Sequence, residues 1–116
     1  MNISLGDLAD RYSICKLKIE RANILCIEEI SAIMADLDKT PEIYTWVERL
    51  YKVNGEIWDL ESDIRKGKEQ ELGLEEVGRR AIAIRGKNKI RIEIKNEINS
   101  IFKSGYKEIK GDHASE

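Results

Sequence analysis

The stretch Ala81-Ile82-Ala83-Ile84-Arg85-Gly86-Lys87-Asn88-Lys89-Ile90-Arg91-Ile92-Glu93-Ile94-Lys95 decides the fold class. Read with a period of two, its isoleucines alternate with small or charged residues on both sides of Gly86-Lys87-Asn88, the pattern of a β-hairpin. Read with a helical period, Ile90 and Ile94 continue through Ile98 and Ile101, beyond the alternating part. Lys103-Ser104-Gly105 then supplies a basic end and a glycine stop. The helical reading accounts for more of the chain, so an all-α fold is expected, with an α+β fold carrying a hairpin at 81–95 as the alternative. Gly86 inside a helix costs about 1 kcal/mol relative to alanine, so a kink or break is expected there.

Working upstream, Leu74-Glu75-Glu76-Val77 opens this third segment with the acidic first turn that a helix dipole favours. The run from Arg65 to Gly73 has two glycines and almost no apolar content, and reads as a connection. Before it, Trp46, Leu50, Val53, Ile57, Leu60 and Ile64 recur at spacings of four and three, the apolar seam of a second helix. Thr40 is a natural N-cap for that helix, Pro41 suits its first position and Glu42 its positive end. Tyr44, Val47, Tyr51 and Trp58 fall beside the seam, so the apolar face is wider than a two-stranded coil requires. A third helix or a second copy of the chain must cover it.

The first stretch, Ser4 to Leu37, carries Leu5, Leu8, Tyr12, Cys15, Ile19, Ala22, Cys26, Ile30, Ile33 and Leu37 at mostly helical spacings. Ser4 and Asp7 have capping-box spacing, with Ile3 and Leu8 placed as a hydrophobic staple. Uninterrupted, this helix would be roughly 50 Å long, and a bend near Asn23 is left open. On a continuous helix Cys15 and Cys26 would lie roughly 16 Å apart, beyond disulfide reach, and read as reduced, core-facing thiols. The first two helices are expected to pair as an antiparallel hairpin, with the third helix completing a single domain over 1–105. Residues 106–116 have no seam and read as a flexible tail.

Composition narrows the function classes. The chain has 116 residues, of which 36% are charged, and 20 basic against 22 acidic side chains give a formal charge of -2. That balance disfavours global attraction to nucleic acid or to an anionic membrane. With no apolar run of spanning length and no basic-then-apolar leader, a cytoplasmic protein that does not enter membranes is expected. The single histidine, His113, leaves no parts for a Ser-His-Asp or Cys-His arrangement. Neither a glycine-rich phosphate loop nor a Cys-x-x-Cys pair occurs, and no cofactor is expected.

Two stretches carry a resemblance. Ser4-Leu5-Gly6-Asp7-Leu8-Ala9-Asp10-Arg11-Tyr12-Ser13-Ile14 leading to Leu17-Lys18-Ile19-Glu20-Arg21 is the first. Asn54-Gly55-Glu56-Ile57-Trp58-Asp59-Leu60-Glu61-Ser62-Asp63-Ile64-Arg65, with the run from Asn88 to Ile98, is the second. Together they resemble a family of small helical proteins from bacteria and tailed phages, a domain of unknown function. The resemblance implies helix for the ambiguous segment and brings no reaction with it. That family often has a proline-containing break after its first helix, whereas Asn23-Ile24-Leu25-Cys26 runs on here without one.

Three groups of residues are candidates for chemistry. Glu56, Asp59 and Asp63 share one face of the second helix and could hold Mg²⁺ or Mn²⁺; the blander account is a solvated acidic face. Arg79, Arg80, Arg85, Lys87, Lys89, Arg91 and Lys95 face a single nearby acid, Glu93, and could bind phosphate or a nucleic-acid backbone. Charge pairing with the acidic stretches at Glu56 to Asp63 and Glu69 to Glu76 is the alternative, and no aromatic residue is interleaved for base stacking. In the first helix, Arg11 or Lys18 could reach an anion between helices, against simple pairing of Asp7 with Arg11 and Lys16 with Glu20. Asn54, near the second seam, could set register against its own copy in a dimer. The expectation is therefore a non-catalytic helical interaction module that self-associates as a homodimer. The alternatives are a metal- or cation-assisted enzyme acting on a phosphorylated small molecule or nucleotide, and nucleic-acid binding through 79–95.

Overall fold

The computed structural model describes residues 3–102, so the 106–116 tail, His113 and the glycine stop at Gly105 lie outside the described residues. The elements are α1 (Leu5–Ala22), α2 (Ile27–Leu37), a 3-10 turn (Pro41–Ile43), α3 (Tyr44–Arg65), the short α4 (Glu69–Leu72) and α5 (Leu74–Phe102). The fold is all-α, with no strand among the described residues. The stretch from Ala81 to Lys95 is helix without interruption, Gly86 included. Helix wins because its period buries Ile94 and Ile98 while turning Arg91 and Lys95 toward carboxylates of α1. Alternation would split those residues between two faces.

The first stretch is two helices. Asn23 takes a left-handed conformation (φ 53°), and the N–H groups of Asn23 and Ile24 both donate to the Lys18 carbonyl, ending α1. Asparagine tolerates this region better than other non-glycine residues, so no proline is needed to stop the helix. α2 then carries the chain back along α1, from Cys26 beside Cys15 to Leu37, in one apolar cluster with Ala9. Tyr44 follows, edge-on to Tyr12 at 6.0 Å.

That return sets the topology. The pairs Trp46/Phe102, Arg49/Glu97, Glu56/Lys87 and Asp63/Arg80 climb on α3 as they descend on α5, so these two helices form the antiparallel hairpin. Asp7/Lys95 and Asp10/Arg91 place α1 antiparallel to α5 as well, which makes α1 and α3 run in the same direction. The sequence-based pairing of the first two long helices is replaced by α3 with α5, because the break at Asn23 inserts a reversing helix. Gly67 (φ 75°) and Gly73 (φ 85°) supply the left-handed positions of the α3–α5 connection.

Ala9, Ile33, Leu37, Ile43, Val47, Leu50, Val53, Ile94 and Ile98 form the core. On α1 the buried face is Gly6, Ala9, Asp10, Ser13, Cys15 and Leu17, while Leu5, Leu8 and Tyr12 pack at its edge. Small residues rather than large apolar ones mark this face because α1 lies close to α5. A Cβ on Gly6 would stand 2.5 Å from the Lys95 carbonyl oxygen. The Ser4 hydroxyl accepts from the Asp7 N–H at 3.1 Å as the N-cap, and the Gly6 N–H donates to Asn99 Oδ1 of α5 at 2.8 Å. The start of α1 is thus satisfied partly by another helix.

Candidate functional site

Where α1, α3 and α5 meet, the interior is polar. Asp10, 4% exposed, accepts a two-pronged bond from Arg91, with Nε 2.9 Å from Oδ1 and Nη2 2.6 Å from Oδ2. Asn54 Nδ2 donates to the same Oδ1 at 2.9 Å and to Ser13 Oγ at 2.8 Å, and Ser13 Oγ donates to the Asp10 carbonyl at 2.8 Å. A fork of guanidinium N–H groups matches a carboxylate better than an ammonium could, so Arg rather than Lys fits position 91. The hydrogen bond to Asp10 raises the Arg91 pKa further, against the opposing effect of burial. Each buried polar side chain of the network has a partner, which fixes the register of three helices.

A cleft of about 280 Å³ opens beside this network, lined by Leu17, Ile57 and Trp58 and by Lys18, Arg65, Asn54, Asn88 and Arg91. The Arg65 guanidinium lies 4.9 Å from the centre of the Trp58 ring and 2.6 Å from Glu61, and Arg91 is held by Asp10. Among the described residues Lys18 is the cleft cation without an ion pair. The cleft therefore offers an anion one free charge rather than a cluster.

The carboxylates singled out on α3 face separate cations. Glu56 meets Lys87 of α5 at 3.0 Å, Asp59 meets Arg21 of α1 at 2.6 Å, and Asp63 meets Arg80 of α5 at 3.8 Å. Most of the basic run is engaged in the same ladder or along its own helix. Arg79 pairs with Glu75 and Glu76, Arg80 with Glu76 and Asp63, Lys87 with Glu56, Arg91 with Asp10 and Lys95 with Asp7. Arg85 and Lys89 form no ion pair among the described residues and line a concave outer surface of α5 with Ala81, Ile82, Ile84, Gly86 and Asn88. The pairings expected within α1 give way to contacts between helices. Asp7 turns to Lys95, the Tyr51 hydroxyl donates to Glu20, and Lys16 sits 5.0 Å from the Tyr51 ring centre. Asn54 sets register within one chain, through Asp10 and Ser13.

The break at Asn23 also overturns the separation expected for the two cysteines. Cys15 Sγ, Cys26 Sγ and a Glu29 carboxylate oxygen all lie within 4.8 Å of one another, and among the described residues no other three such side chains gather this closely. Both thiols are free, and Cys26 Sγ donates to the Cys15 carbonyl at 3.6 Å. Burial, then hydrogen bonding with Cys26 and Glu29, pushes the Cys15 thiol up to about 12. Neither the Asp10 network nor this trio was singled out from the sequence. The available signals were a polar pair, Asp10 and Ser13, sharing a helical face with Gly6, Ala9 and Leu17, and Arg21-Ala22-Asn23 as a helix end without glycine or proline.

No family model, curated protein or solved structure matches this chain. No helix among the described residues is long and apolar enough to cross a membrane.

Proposed function

We propose that this chain is a non-catalytic helical interaction module, of bacterial or phage origin, that pairs with a second copy of itself along the outer face of α5. The observation that carries the reading is the unsheltered ridge Gly78, Ile82, Gly86, Ile90, at a constant spacing of four. Ile82 is 63% exposed and Ile90 45% exposed, and a Cβ on either glycine would meet nothing within 4 Å. Residues four apart form one ridge of a helix surface, and ridges pack into grooves. Two such ridges crossing antiparallel about position 84 set Ile82 of each copy against Gly86 of the other, and Ile90 against Gly78. Large meets small at every step, so the ridge complements itself. Two-fold symmetry makes such a contact closed, yielding a dimer rather than a fibre.

Arg85 flanks the ridge one residue from the crossing point and repels its equivalent across the two-fold axis, and Lys89 adds to the positive charge of the contact. Association is therefore expected to strengthen as salt screens them. Sedimentation equilibrium at micromolar concentration tests the reading. The wild-type chain should be dimeric, more so at raised salt, and Ile82→Glu should be a folded monomer. A wild-type monomer, or a dimer indifferent to Ile82→Glu, overturns it. The resemblance of Ser4–Arg21 and Asn54–Arg65, with the run from Asn88 to Ile98, to a helical family from bacteria and tailed phages supports the origin named here.

A further inference from the structure

Cys15, Cys26 and Glu29 approach one another from both sides of the α1–α2 turn. Cys15 lies deep on α1, 2% exposed; Cys26 is the residue before α2, half-buried; Glu29 is exposed in the first turn of α2. We propose that this trio is a site for a thiophilic divalent cation, Zn²⁺, held by two thiolates and one carboxylate, with a fourth position open to water or to a ligand.

The donor set selects the metal. Thiolates favour Zn²⁺ over Mg²⁺ or Ca²⁺, and the carboxylate favours it over monovalent copper, which prefers sulfur alone. Three protein ligands with an open fourth position is the arrangement of zinc sites that engage an exogenous molecule. The spacing is close to what is needed. Tetrahedral bonds of about 2.3 Å to sulfur and about 2.1 Å to oxygen place ligand atoms roughly 3.5–3.8 Å apart. The three atoms already lie within 4.8 Å of one another, so side-chain rotation closes the gap without moving a helix.

Charge balance does not oppose loading. Empty, the trio holds two neutral thiols and one carboxylate; loaded, two thiolates and a carboxylate surround a doubly charged ion, with two protons released to water. The net charge is the same before and after, so no extra charge is buried. The hydrogen bonds given up are weak thiol ones, from Cys26 Sγ to the Cys15 carbonyl and those linking the Cys15 thiol with Cys26 and Glu29. Glu29, exposed at the mouth, gives the ion an entry path. Once bound, the ion would cross-link α1 to α2 and pin the turn that carries Ile24 and Leu25, which are 49% and 75% exposed.

Titration of the fully reduced chain with Zn²⁺ against a chromophoric chelator, under anaerobic conditions, tests the site. Co²⁺ serves as a spectroscopic substitute. One ion per chain is expected, with a thiolate-to-Co²⁺ charge-transfer band of two-thiolate intensity and a melting temperature that rises with free Zn²⁺. Cys26→Ala should weaken binding on the order of a hundredfold and Glu29→Gln roughly tenfold. Both positions have solvent access, so these variants report on the site without emptying the core, and circular dichroism confirms their fold. Cys15→Ala should abolish the two-thiolate band. Absence of that band in the wild type, wild-type affinity in Cys26→Ala and Glu29→Gln, or conversion of both thiols to a disulfide in the presence of Zn²⁺ would each overturn the assignment.

Discussion

From Ile90 to Phe102, α5 is gripped from two sides; from Leu74 to Lys89, its ion pairs to other helices go to α3 alone. In the gripped half, Ile94 and Ile98 are buried, Arg91 and Lys95 reach α1, Asn99 receives the Gly6 N–H, and Phe102 packs edge-on to Trp46 at 5.3 Å. In the other half, Arg80 and Lys87 reach α3 while Leu74 and Ile82 stand in solvent. Both halves are basic and isoleucine-rich. What distinguishes them is the number of neighbours, and with it the dielectric surroundings in which each charge sits. Arg91, in the gripped half, neutralises a carboxylate that water barely reaches, Asp10 at 5% side-chain exposure, whereas Lys87, in the free half, meets one that water already solvates, Glu56 at 40%.

The largest test of this difference replaces one cation in each half. Arg91→Met leaves Asp10 buried with only Asn54 as a side-chain partner, and should lower unfolding free energy by about 3–5 kcal/mol. Lys87→Met removes a partner from the partly exposed Glu56 and should cost about 0–1 kcal/mol. Urea denaturation of the two variants compares them directly, and equal losses would erase the distinction between the halves. A second test uses glycine. In Gly6→Ala the new methyl must displace the Lys95 backbone, 2.5 Å away, at a cost of about 1–3 kcal/mol. The gain of about 1 kcal/mol from better helix propensity offsets only part of this. Gly86→Ala meets open space in the single chain and should instead stabilise it by about 1 kcal/mol. The same methyl would fill the gap proposed to receive Ile82 of a second copy, so Gly86→Ala should weaken dimerisation while raising the melting temperature of the monomer.

The gripped half was also the part of α5 more legible in the sequence. Ile94 and Ile98 fall at helical spacing and are buried, and the glycine connection between α3 and α5 stands where Arg65 to Gly73 placed it. Ile90 and Ile101, counted in the same seam, are exposed, because periodicity gives a face but not the extent of what covers it. Two other features resisted reading for different reasons. The stop at Asn23, where the sequence leaves a bend open, rests on a left-handed backbone conformation that asparagine permits without demanding, and the apolar pattern running past it does not mark the break. Without that stop, the closeness of Cys15, Cys26 and Glu29 could not be foreseen. The Asp10 network escaped because its members, Asp10, Ser13, Asn54 and Arg91, come from three helices. Polar residues on an inner face resemble a solvated face until the partner helices are placed, and a long cationic run conceals which arginine is paired with a buried carboxylate.

The smallest expected effect separates position from exposure. Arg49 and Glu97 pair at 3.0 Å in the gripped half, yet their side chains remain 50% and 44% exposed. If proximity to α1 and α3 were what strengthened an ion pair, this one would rival Arg91 with Asp10. If desolvation is what matters, it should behave like Lys87 with Glu56, whose side chains are 35% and 40% exposed. A double-mutant cycle should therefore give both exposed pairs coupling energies of about 0.2–1 kcal/mol, shrinking with added salt. The Asp10–Arg91 coupling should hold nearly constant over the same salt range, because ions screen buried pairs much less. A salt-resistant coupling of several kcal/mol between Arg49 and Glu97 would mean that the gripped half acts through rigidity rather than through exclusion of water, and would move the origin of its strength from the Asp10 network to the packing around it.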